Sequence, residues 1–184
     1  KIPPPLVLLI FAIAMWFAAP LTEPFHIERI LRIGIAVAFA VIGEAISATG
    51  VIQFRRAKTT INPMKAGNAS SLVTGGVYRF TRNPIYLGMF LGQIGLAIAF
   101  NSLWLLTILV PFAFVIHYGV VVREEAHLGR KFGDAYVKWG AQTPAFVPNF
   151  RNYRPPSLPF SPRNVLKREY SGLMGVILTF VALG

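Results

Sequence analysis

The residues best suited to chemistry fall in two short blocks. The first is residues 72–88, which read Leu-Val-Thr-Gly-Gly-Val-Tyr-Arg-Phe-Thr-Arg-Asn-Pro-Ile-Tyr-Leu-Gly. Gly75 and Gly76 allow a backbone path closed to other residues and let a ligand approach the main chain. Pro84 suits the first turn of a helix, where its missing N–H costs nothing, and Asn83 then falls near the capping position. Arg82 would stand just before a helix N-terminus, where backbone donors already favour an anion. The same residues suit a glycine turn followed by an ordinary helix start about equally well.

The second block is Arg123-Glu124-Glu125, at the end of a long apolar run. Adjacent carboxylates beside apolar surroundings are costly to bury unpaired. Three and four positions beyond Glu124 stand His127 and Leu128, and beyond Glu125 stand Leu128 and Gly129. Behind them are only Val120, Val121 and Val122. Apart from a His127 contact, neither acid has a cation on its own helix. The pair must face water, a basic group elsewhere such as Arg82, or a cationic or hydroxyl-rich ligand. A solvated helix exit is the plain alternative.

The elements that position these blocks are set by composition. The 184 residues are 54% hydrophobic and only 14% charged, yet carry 18 Lys and Arg against 7 Asp and Glu, a net charge of +11. Mean hydropathy is +0.56. Disorder needs low hydrophobicity, and a soluble nucleic-acid binder would explain the charge but not the apolar excess. With no cysteine, thiol nucleophiles, thiolate metal sites and disulfides are excluded. An integral membrane protein accounts for both properties when its basic residues gather on one side.

A membrane span needs roughly 20 apolar residues. Residues 6–19, 30–54, 86–100 and 103–122 are expected to cross, the first as a retained span and not a cleaved leader. A fifth apolar stretch, residues 170–183, is either a span or an interfacial helix. The expected fold is an all-α, multi-pass membrane bundle. It would be a single domain over residues 1–184, with the motifs in 59–139 and a cap and apolar tail in 140–184. Four spans place sixteen of the basic residues on one face, with Arg29 and Arg32 opposite. By the positive-inside rule the N-terminus and the long loops are cytoplasmic. Residues 142–163 hold six prolines with interleaved aromatics and read as an ordered cap on the bundle. Asn101 and Ser102 alone separate the third and fourth spans. That tight hairpin returns Glu124 and Glu125 to the membrane face where Arg82 and Tyr86 start.

These residues resemble the isoprenylcysteine carboxyl methyltransferase and phospholipid methyltransferase superfamily. The likeness lies in Gly-x-Tyr-Arg and Arg-Asn-Pro-x-Tyr-x-Gly within residues 72–88, and in the later run Glu124-Glu125-x-x-Leu128-x-x-x-Phe132-Gly133-x-x-Tyr136. It covers about residues 59–139, including Thr60-x-Asn62-Pro63. The resemblance implies a bacterial-type integral membrane enzyme of the inner membrane that uses S-adenosyl-L-methionine, held in a cytoplasmic-side pocket. Val73, Gly75, Val77 and Tyr78 would contact the cofactor; Arg82, Asn83 and Tyr86 would line its pocket; Glu125, with Glu124, would bind it. Asn83 stands where the eukaryotic carboxyl methyltransferases have His, so the position serves binding more than proton transfer. After Tyr136 the chain departs from the family's short basic ending.

Glu44 lies mid-span, and an intramembrane carboxylate is a functional candidate by default. It would approach an acceptor headgroup or hydrogen-bond a neighbouring helix while protonated. With Arg82, which could orient a carboxylate acceptor, it is the catalytic candidate. His117 and Tyr118 precede Glu124 and Glu125 by seven positions, so each should share a helix face with one acid; His117 joins the candidate cofactor contacts, with a hydrogen-bonded packing role the alternative. No His, Asp or Glu spacing matches a metal site. Gly88, Gly92 and Gly95 suit close helix contact more than a ligand. The expected function is methyl transfer to a lipophilic or amphiphilic acceptor among membrane lipids, on carboxylate, amine or thiol. An NADPH-dependent membrane reductase of related architecture and a non-catalytic membrane scaffold or sensor are the alternatives.

Overall fold

A computed structural model of the chain describes residues 3–24, 26–59 and 70–152. Among them there is no strand; the six α-helices are α1 (Pro4–Ala18), α2 (Arg29–Arg56), α3 (Pro84–Ala99), α4 (Leu109–Ile116), α5 (Val122–Phe132) and α6 (Asp134–Gln142). Thr60, Asn62, Pro63 and the apolar stretch 170–183 lie outside the described residues. So does the proline-rich segment beyond residue 152. Residues 1–149 form one compact unit, and residues 150–184 cluster as a second. The division falls within the proline-rich segment 142–163. Of the second unit, a 3₁₀ turn at Phe150–Asn152 is described.

Three helical stretches are long and apolar enough to cross a membrane: Pro4–Leu21, Arg29–Arg56 and Leu103–Phe132. Helix α3 is equally apolar but has 16 residues. It is about 24 Å long at 1.5 Å per residue, against a hydrocarbon core of about 30 Å. The boundaries follow from local chemistry. Glu28 caps α2 by accepting from the Leu31 N–H at 3.0 Å. Pro84 opens α3, and Asn101, in the left-handed conformation at φ 62°, turns the chain after it. The rod 103–132 starts as a 3₁₀ turn over Leu103–Ile108 and becomes α-helical around Pro111. Pro111 cannot donate to the carbonyl four residues back. Residues His117–Val121 then form a π turn before α5 continues. The fourth span therefore runs ten residues past the expected limit at Val122 and carries the two acids well inside a helix.

Helix α2 packs along α3 through small residues. A Cβ at Gly43 would lie 2.6 Å from the Gly88 carbonyl oxygen, and one at Gly95 would lie 2.9 Å from that of Ala36. Gly88 itself abuts Gly43 and Ser47. Gly92 does not share this role, since a Cβ there would meet nothing within 4 Å. On the other side of α3, Tyr86 joins Val7, Phe112, Ile116 and Val121 in one apolar cluster. Met15, Ala97, Leu105 and Leu109 form another. Buried Gln93 ties α3 to α1 by donating to the Leu8 carbonyl at 2.8 Å. These contacts fix the α3–α4 hairpin and so the end of the bundle where both motif blocks lie.

Candidate functional site

Arg82, Asn83 and Tyr86 meet Glu124 and Glu125 at one end of the hairpin. The Arg82 guanidinium grips the Glu125 carboxylate with two prongs, Nε to Oε1 at 2.9 Å and Nη2 to Oε2 at 3.2 Å. Its Nη1 donates to the carbonyls of Gly140 at 2.9 Å and Thr143 at 2.6 Å. The Asn83 amide nitrogen donates to Glu125 Oε1 at 3.3 Å and to the Ala145 carbonyl at 3.0 Å. Asn83 occupies the N-cap of α3 as expected, but its side chain does not cap the helix. Tyr86 Oη donates to Glu124 Oε2 at 2.9 Å.

The two acids are thus in different situations. Both oxygens of Glu125 are engaged by Arg82, one of the partners the sequence left open. Glu124 has Oε2 occupied by Tyr86, while Oε1 has no hydrogen-bond partner among the described residues. Burial works against the charged form of Arg82, but the hydrogen bond and charge of Glu125 outweigh it and raise its pKa. Burial, reinforced by the charge of Glu124, raises the Tyr78 phenol above its usual range. Burial and then the charge of Glu125 do the same for Tyr136.

The glycine block lies beside this network. Gly76 has φ 60° and sits on the Gln53 side chain, so it is the glycine that the turn requires. Gly75 is in an extended conformation, φ −90°. Val73 and Tyr78 are buried, and Val77 is half-buried in the turn Gly76–Arg79. The Tyr78 ring meets Phe54 of α2 edge-on at 5.4 Å, and its carbonyl accepts from Trp139 Nε1 at 3.2 Å. Two candidates stand apart. The π turn inserts about one residue, about 100° of rotation, between His117 and Glu124, which removes the shared face expected from the seven-residue spacing. The His117 ring packs against Phe146 and Tyr118. Glu44 is exposed on α2. It stands six residues, about 9 Å, deeper than Gly50, whose Cβ position meets the Tyr78 hydroxyl.

The sequence suggested a cap from residue 142 onward, but not that residues 140–149 bond directly to the motif turn. Arg82 N–H donates to the Pro144 carbonyl at 2.9 Å, Asn149 N–H to the Phe80 carbonyl at 2.9 Å, and Thr81 Oγ1 to the Ala145 carbonyl at 3.0 Å. An open cavity of about 430 Å³ is lined by residues 140–144 and 147–149. Backbone carbonyls accept most of these bonds, and no side-chain pattern displays them. Buried Thr81 is the one side chain that a reading of the motif could have singled out.

Residues 31–135, more than half of the chain, match the family described as phospholipid methyltransferase. The chain belongs to that family. With its apolar helices, membership makes it an integral membrane protein. It is similar to the nickel-cobalt-cadmium resistance protein NccN of Alcaligenes xylosoxydans, 35% identical over 86 residues, 47% of this chain and 40% of that one. It is 28% identical over 115 residues to the protein-S-isoprenylcysteine O-methyltransferase of Schizosaccharomyces pombe, 61% of this chain and 48% of that one. The cobalt-zinc-cadmium resistance protein CzcN of Cupriavidus metallidurans is 33% identical over 85 residues, 46% of this chain and 39% of that one. The chain spans about half the length or less of these curated relatives. No solved structure gives a match.

Proposed function

We propose that this chain transfers a methyl group from S-adenosyl-L-methionine to a lipophilic or amphiphilic acceptor that reaches the site from the bilayer. The observation carrying this reading is the meeting of both family blocks at one end of the hairpin, through Arg82–Glu125 and Tyr86–Glu124. Family membership supports it, and so does the likeness to an isoprenylcysteine O-methyltransferase.

The residues present fit the methyl donor through Glu124. Its unpartnered oxygen suits an ammonium or a ribose hydroxyl by a charge-assisted hydrogen bond. Val73, Gly75, Val77 and Tyr78 supply the adjoining wall. Arg82, Asn83 and Glu125 hold the two blocks together and shape the pocket from behind. When bound, the donor supplies a methyl on a sulfonium. Transfer forms a bond from the acceptor atom to that carbon as the carbon–sulfur bond breaks, leaving a neutral thioether.

Such an in-line displacement is accelerated mainly by alignment and exclusion of water. A carboxylate acceptor needs no base, whereas an amine or thiol must also give up a proton. With the Arg82 fork occupied by Glu125, orientation of the acceptor falls to other groups. Glu44, on the exposed face of α2, is the candidate that a lipophilic acceptor would pass. The basic excess of the loops supports a cytoplasmic-side site, and with it the reading of a bacterial inner-membrane enzyme.

Purified protein incubated with methyl-labelled donor and a total membrane extract should label a discrete lipophilic product. No labelled product, or binding of NADPH in place of S-adenosylhomocysteine, would refute the reading in favour of a reductase or a scaffold.

A further inference from the structure

Residues 143–149 are joined to residues 80–83 by five hydrogen bonds, one of them from the Arg82 side chain to the Thr143 carbonyl, and Thr81 lies among them. The turn's backbone makes two bonds, from Arg82 N–H to Pro144 and from Asn149 N–H to the Phe80 carbonyl. Between these, the Ala145 carbonyl accepts from Thr81 Oγ1 and from Asn83 Nδ2, each at 3.0 Å. The Thr81 oxygen also accepts from the Asn83 N–H at 3.3 Å. The residue is 1% exposed, so its hydroxyl is withdrawn from water and bonded on both sides. Neither of these hydroxyl bonds is to Glu124 or Glu125. The neighbours of Ala145, residues 143, 144 and 147–149, supply much of the lining of the 430 Å³ cavity.

We propose that Thr81 is a positioning residue, which holds residues 143–149 in place as the outer wall of the ligand site. The ligand half of this inference rests on the methyl-donor reading; the tether itself does not. Its hydroxyl acts through Ala145, and a valine of the same shape would keep the packing while removing both of its bonds. The Ala145 carbonyl would then be held by Asn83 alone, and the Asn83 N–H would lose its acceptor. Exchange of the Arg82 and Asn149 amide hydrogens reports the wall directly, since both donate across the seam.

The test compares wild type, Thr81→Val and Thr81→Ser as full chains in detergent, by amide hydrogen exchange and by titration with S-adenosylhomocysteine. Thr81→Val should speed exchange at Arg82 and Asn149 and weaken binding about tenfold, the cost of about one net hydrogen bond or slightly more. Thr81→Ser should restore both, because it restores the hydroxyl. Unchanged exchange in Thr81→Val would overturn the tether. Faster exchange with wild-type binding would show that residues 143–149 are not a wall of the site. A serine variant as impaired as the valine one would assign the effect to packing and sink the proposal. A wild type that binds no S-adenosylhomocysteine would instead refute the methyl-donor reading, and with it the ligand half alone.

Discussion

Arg82 and Glu125, 43 residues apart in the chain, form a forked ion pair that joins the start of α3 to α5. The Arg82 side chain also binds two carbonyls at and just beyond the end of α6. One side chain therefore ties three segments together. A partly buried arginine engaged in this way acts chiefly by organising the site.

Replacing Arg82 with alanine should lower stability by about 2–4 kcal/mol, because the Glu125 carboxylate and two carbonyls lose their donors together. Arg82→Lys should recover only part of this, since a point charge cannot reproduce the fork. In a double-mutant cycle with Glu125→Ala, unfolding in denaturant should give a coupling of about 1–3 kcal/mol. Additive losses would show that the pair does not act as a unit.

The α2–α3 seam gives a contrast within one helix. Gly88→Ala should destabilise the chain by about 3 kcal/mol or more, because its methyl would enter the backbone of α2 at Gly43 and Ser47. Gly43→Ala should behave similarly. Gly92→Ala should be neutral or slightly stabilising, since its Cβ position is open and alanine favours helix. Thermal unfolding of the three variants checks the order.

That contrast marks where the sequence was legible. Apolar runs and the spacing of Asn83, Pro84, Glu124 and Glu125 disclosed the helices, the hairpin and the end of it that matters. Gly88 and Gly92 looked alike, because spacing does not reveal which side of a helix a neighbour covers. The π turn at His117–Val121 was equally hidden. Its extra residue moves His117 off the face of Glu124, and the lone Gly119 within it does not distinguish a π turn from a continuous helix. The cap from residue 142 was legible, but the bonds of residues 140–149 to the motif were not, because they run largely to main-chain carbonyls.

Tyr86 holds the acid that remains available. Tyr86→Phe removes the 2.9 Å bond to Glu124 while keeping the ring in its apolar cluster. The expected result is a stability loss of only about 1 kcal/mol. Affinity for S-adenosylhomocysteine should fall by about tenfold, as Glu124 loses its fixed orientation. Equal affinity in the variant would release Tyr86 from the site.

Alkaline pH should loosen the network through its tyrosines. The Tyr78 and Tyr136 phenols are held above their ordinary value of 10.0, by burial first and then by the charges of Glu124 and Glu125 respectively. A folded pKa above the unfolded one means tighter proton binding in the fold. The contribution is therefore complete below pH 10 and is lost as the pH rises beyond it. Arg82, whose pKa is raised, stays charged as that loss begins. Stability measured from pH 8 to 11 should decline at the upper end, and Tyr136→Phe should flatten the decline.

The most direct test is calorimetric titration of S-adenosylhomocysteine into wild type and Glu124→Gln. The wild type should bind, and the glutamine variant should bind at least about tenfold more weakly while remaining folded, having lost the charge that receives the ligand. Absence of binding to the wild type, or equal binding by both proteins, would contradict a methyl-donor pocket built around Glu124.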